Sequence, residues 1–190
     1  MARPKVHDAA LRAQLLARAR EMLSTDGTDG VSLRVLARDC GTSTTAVYSL
    51  FGGKPELLGE LLDEALRRFT AHLDAVRAED DPVAALVRLA CVYRRAALAA
   101  PQLFDAMFGG TPGTLPPATA HAALGPLREL LQRGMAGGAL RPDLDPATAA
   151  LTLWATVHGW VSLQRRHLLP DGGERLEDAV RAVLDGWRRA

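Results

Sequence analysis

Apolar side chains recur at helical spacing along most of the chain, and nowhere at the two-residue spacing of a half-buried strand. Leu11, Leu15, Ala19, Met22 and Leu23 share one face of a first helix expected over 9–24, with Asp8 as its cap and Gly27 and Gly30 as breaks. Ser32 can cap a short second helix, about 33–40, and Gly41 offers the left-handed turn that ends it. Ser43 can cap a third, about 44–51, which Gly52 and Gly53 stop. Pro55 suits the first turn of a long fourth helix striped by Leu58, Leu61, Leu62, Ala65, Phe69, Leu73 and Val76.

Pro82 starts a fifth helix with Val83, Leu86, Val87, Ala90 and Tyr93 on its core face, and Pro101 opens a short sixth. A Gly/Pro-rich loop at about 109–117 leads to a helical stretch at about 118–136, interrupted by Gly125 and Pro126. Asp145 and Pro146 form a cap and first turn for a helix ending near Leu168. Leu176, Val180, Val183, Leu184 and Trp187 mark a last helix at about 174–188. The pattern predicts an all-α protein.

Composition adds limits. A chain of 190 residues can hold one domain with a full core or two small ones. The net charge of +1 is uninformative, but its distribution is not. Residues 1–55 carry eight basic side chains against five acidic ones, while the remainder is mildly acidic. That balance suits a nucleic-acid-binding head on a mildly acidic body. Cys40 and Cys91 have no zinc-type neighbours, and both are expected to be small buried residues in a reducing cytoplasm. No apolar run reaches membrane-spanning length, so no membrane partner is expected. The five histidines lack metal spacing, and no nucleophile elbow, phosphate loop or dinucleotide fingerprint occurs. An enzyme is therefore not expected, nor a metal or cofactor, and Glu60, Asp63 and Glu64 read as solvated charges.

The informative segment runs from Ser32 to Lys54: SLRVLARDCGTSTTAVYSLFGGK. It reads as short helix, glycine turn, short helix. Ala37 lets the two helices cross closely, and Leu36, Cys40, Val47 and Phe51 can fill the core between them. A helix that enters the major groove, about 12 Å wide, needs a short polar outer face, which Thr44, Thr45 and Ser49 supply. Tyr48 and Lys54 can reach phosphates. The candidate DNA-contact set is Ser32, Arg34, Thr42, Ser43, Thr44, Thr45, Tyr48 and Lys54.

From Leu36 to Leu57 this segment resembles the TetR family of transcriptional regulators, whose pattern is I-A-x-x-A-G-V-S-x-x-x-L-Y-x-H-F-x-x-K-x-x-L. Ala37, Gly41, Ser43, Tyr48, Phe51, Lys54 and Leu57 match in register; Cys40, Thr42, Val47 and Leu50 depart, and Leu50 removes a polar contact. The resemblance implies a three-helix helix-turn-helix DNA-binding domain, 1–54, and a helical effector-binding and dimerisation domain, 55–190. Residues 138–146 resemble the loop before the family's dimerisation helices. Trp154, His158 and Gly159 resemble the W-x-x-x-H-G signature of one branch. The resemblance implies a repressor released from a palindromic double-stranded operator by a small-molecule effector. The absence of a strongly charged pocket makes a hydrophobic or aromatic effector the expectation.

The candidate ligand residues are Tyr93, Phe104, Met107, Phe108, His121, Trp154 and His158. The helix over about 147–168 is apolar almost all round, and Thr148, Thr152, Thr156 and Gly159 give it a small-residue stripe. A homodimer through this helix and the last one is expected. The competing reading is a helical ligand-binding or scaffold protein without DNA-binding activity.

Overall fold

Local signals set most of the helix boundaries. The computed structural model describes residues 5–77, 79–108, 124–169 and 175–189. They form nine helices: α1 (Lys5–Gly30), α2 (Leu33–Asp39), α3 (Thr44–Phe51), α4 (Lys54–Arg77), α5 (Pro82–Ala99), α6 (Pro101–Phe108), α7 (Gly125–Ala136), α8 (Pro146–Arg165) and α9 (Leu176–Asp185). Among the described residues the extended pairing is limited to an isolated bridge between Leu140 and Arg188. The all-α expectation holds.

Several boundaries differ from the expectation; the last helix, expected over about 174–188, runs Leu176–Asp185. α1 begins at Lys5, so Asp8 lies in its first turn, where a carboxylate favours the helix dipole, rather than at the cap. The expected break falls at Gly27 (φ 69, ψ −165), although helical hydrogen bonding resumes to Gly30. α8 stops at Arg165 because His167 adopts φ 56, and the Leu168 amide bonds back to the Leu163 carbonyl at 3.0 Å. The loop at 109–117 and the stretch 118–123 lie outside the described residues; Pro126 occupies the first turn of α7, as a helix restart requires.

The chain divides into two compact units. The first comprises Met1–Leu66 and Ala100–Pro116, so it holds α1–α3, the first half of α4, and α6. Its core joins Leu15, Ala19 and Leu23 of α1 to Leu36 of α2, Val47 and Phe51 of α3, and Leu57, Leu61 and Leu62 of α4; Leu103 and Met107 of α6 pack against it. The second comprises Arg67–Ala99 and Pro117–Ala190, where α5, α7, α8 and α9 pack pairwise. Leu86, Leu130, Leu131, Leu153, Val161 and Val180 are fully buried there.

Candidate nucleic-acid interface

Two glycines frame the helix that carries the candidate contacts. Gly41 (φ 64) makes the turn between α2 and α3, and Gly52 (φ 91) ends α3; both need the left-handed backbone that side chains disfavour. Ser32 and Ser43 cap α2 and α3, accepting from the amides of Val35 (3.4 Å) and Ala46 (3.2 Å). Their hydroxyls are therefore engaged within the fold. α3 turns Val47 and Phe51 inward, while Thr44, Thr45, Tyr48 and Ser49 share its exposed face. The Tyr48 side chain is 56% exposed. Thr42 and Ser32 are half-buried, and Arg34 is exposed. Leu50 packs partly buried against the core, which gives its departure from the family pattern a structural role.

Charge is spent unevenly. Arg12 pairs with Glu60 (2.6 Å), Arg18 with Asp39 (2.9 Å) and Glu21 (3.0 Å), Arg20 with Glu64 (3.1 Å), and Arg38 with Asp39 (3.0 Å). Hydrogen bonds from Arg18, then Arg38, hold the Asp39 carboxyl below the usual carboxylate range. Glu60 and Glu64 are thus not simply solvated charges. Among the described residues of this unit, Arg34 and Lys54 are exposed or half-buried cations without a carboxylate partner; Lys54 Nζ donates to the Asp29 carbonyl at 3.5 Å, the limit of a hydrogen bond.

In the second unit, Trp154 and His158 lie one turn apart on α8 with their rings stacked, centroids 4.9 Å apart. Tyr93 of α5 sits against both. Its hydroxyl accepts from the Trp154 indole N–H and shares a hydrogen bond with His158 Nδ1 at 2.8 Å. Burial lowers the His158 pKa and so favours the neutral imidazole. Burial likewise pushes the Tyr93 phenol up. The Tyr93 ring also meets Phe69 of α4 edge-on at 5.3 Å. Beside it is a cavity of about 20 Å³ walled by Leu86, Leu89, Ala90, Tyr93, Leu127, Leu153, Trp154 and Val157. That is room for about one water. Phe104, Met107 and Phe108 belong to the first unit, where the two phenylalanine rings are 5.0 Å apart; His121 lies outside the described residues.

Residues 15–61 match the family described as bacterial regulatory proteins, tetR family, and residues 86–186 match the tetracyclin repressor-like C-terminal domain. The chain belongs to the TetR family. It is 30% identical over 180 residues to the tetracycline repressor protein class A from transposon 1721 of Escherichia coli, covering 90% of this chain and 78% of that protein. It is 28% identical over 189 residues to the HTH-type transcriptional regulator Rv1816 of Mycobacterium tuberculosis, covering 81% of this chain and 80% of the relative. A protein of unknown function from Rhodococcus sp. RHA1 superimposes with a TM-score of 0.82 at 32% identity, over 94% of this chain and 96% of that one.

This TetR-family chain is a transcriptional regulator with a DNA-binding helix-turn-helix. No helix among the described residues is long and apolar enough to cross a membrane. What the sequence pattern left out is the set of ion pairs that α1 makes with other helices. Their partners are distant in sequence, and the only local signal is that Glu60 and Glu64 lie one helical turn apart, as a shared binding face requires.

Proposed function

We propose that the protein is a cytoplasmic, non-catalytic repressor that binds a palindromic operator as a homodimer and is released by a small hydrophobic or aromatic effector. The observation that carries the DNA reading is the outer face of α3. Thr44, Thr45, Tyr48 and Ser49 are exposed together, and the Thr44 and Thr45 hydroxyls make no hydrogen bond among the described residues. Their donors, acceptors and methyl groups are therefore available to base edges, with Arg34, Tyr48 and Lys54 as phosphate contacts and Ser32, Thr42 and Ser43 at the helix ends. In this reading residues 1–54 are the DNA-binding domain and 55–190 the effector and dimerisation domain.

The dimer reading rests on α8. Leu151 is 52% exposed, Thr148 and Thr152 are exposed, and a Cβ at Gly159 would meet nothing of its own chain. The effector reading rests on the cavity beside Tyr93 and Trp154, whose walls carry no charged side chain. A charged guest would lose its hydration there without compensation. Binding would shift the population between two dimer geometries.

Fluorescence anisotropy on DNA from just upstream of the protein's own gene, with unrelated DNA of equal length, tests this. Binding should be tighter to the upstream fragment and should weaken steeply with salt. Lys54→Ala should lower the slope of log affinity against log salt by about one. Absence of binding to both fragments at low salt would leave the scaffold reading in its place.

A further inference from the structure

A helix of eight residues has no stable orientation of its own; the contacts at its ends supply it. At its start, α3 is held by the Ser43 cap and by the packing of Val47 in the core. At its end stands Phe51, 8% exposed, followed by the left-handed Gly52. The guanidinium of Arg12, on α1, lies over the Phe51 ring, 5.1 Å from its centroid. The same group reaches both carboxylate oxygens of Glu60, on α4, at 2.6 Å each. One side chain thus joins three helices at the end of α3. A lone ion pair this exposed (41% and 34%) holds little. Arg12 differs because its Nη2 is shared by both carboxylate oxygens of Glu60 while the centre of the same guanidinium lies over the Phe51 ring.

We propose that Arg12 is a positioning residue for DNA recognition, fixing through Glu60 and the Phe51 ring the angle at which α3 presents its outer face. It is a cation that the sequence counts toward the field attracting DNA, yet the structure commits it to holding the reading helix. The proposal rests on the reading of α3 as the DNA-contacting helix, and one arm of its test does not depend on that reading.

In the full chain free of DNA, Arg12→Met keeps an unbranched apolar stem and removes the charge and plane. Glu60→Gln keeps the shape and removes the attraction. Each should speed amide hydrogen exchange at Tyr48–Gly52 about fivefold while α5 and α8 amides keep wild-type rates. Wild-type exchange in α3 of both variants overturns the proposal, and so does a uniform acceleration along the chain. On DNA, both variants should lose about fivefold of the preference for the upstream fragment, with the salt slope unchanged. A lower slope in Arg12→Met together with tighter binding by Glu60→Gln would make Arg12 a phosphate ligand restrained by Glu60, and overturns the proposal. If the wild type shows no DNA preference, the reading of α3 fails, and the exchange result alone decides whether Arg12 fixes that helix.

Discussion

Threonines on α3 and on α8 are put to opposite use. On α3, Thr44 and Thr45 are exposed and their hydroxyls are left unbonded among the described residues. On α8, Thr152 donates to the Thr148 carbonyl at 2.8 Å and Thr156 to the Thr152 carbonyl at 2.9 Å, while the Thr148 hydroxyl bonds Asp145 at 2.6 Å. A back-bonded threonine needs no water and shows its methyl outward. The same residue type therefore offers free hydroxyls on an exposed face in one unit and bonded hydroxyls in the other. Residue type alone does not distinguish them; the bonding of the hydroxyl does.

The comparison breaks most visibly on α8. Thr152→Asp should weaken the proposed dimer by about a hundredfold or more, seen in sedimentation, because a carboxylate would lose its hydration against the partner. Thr152→Val should leave the association unchanged. If both variants sediment as wild type, the α8 face is not the dimer surface.

The same isostere has the reverse outcome on α3. Replacing Thr44 and Thr45 with Val should remove about tenfold of the preference for the upstream fragment and keep the salt slope, since hydroxyls are lost and charges are not. Preserved preference in anisotropy would mean that these hydroxyls read nothing.

The smallest effect concerns a buried group already satisfied inside its unit. Burial lowers His158 below its ordinary value of 6.5, so the unfolded chain binds a proton more readily than the folded one. Its contribution to stability is full above that value and is lost as pH falls below it toward the folded pKa. Urea midpoints at about pH 7.5 and about pH 5.5 should fall further apart in the wild type than in His158→Asn, which keeps an acceptor for Tyr93 without titrating. Equal pH dependence in the two proteins would show that His158 does not titrate with folding.

The legible parts of the fold are those written locally. α3 runs from Thr44 to Phe51 as the sequence predicts because a capping serine and a left-handed glycine stand at its ends. Trp154 and His158 can be paired from their spacing alone, since four residues on a helix is one turn. The end of α8 was not legible: nothing in the sequence demands that His167 take a positive φ. Cys91, expected to be buried, is half-buried with its Sγ 3.4 Å from a Glu177 oxygen, a contact made across 86 residues. The α1 ion pairs share that origin. Arg12 and Glu60 are 48 residues apart, so only the crossing of their helices reveals that the two charges answer each other.

The cavity beside Tyr93 and Trp154 carries a kinetic and quantitative consequence. With room for about one water, it offers no seat to a molecule the size of an aromatic ring. Under the proposed effector reading, a guest of that size would need a conformation in which this packing opens, and its apparent affinity would be scaled down by the fraction of the time that conformation is populated. The tightness of the packing would then act as a threshold, setting how much of the guest must accumulate before a response begins. Trimming Leu127 or Leu153 would lower that threshold without adding a single contact to the guest.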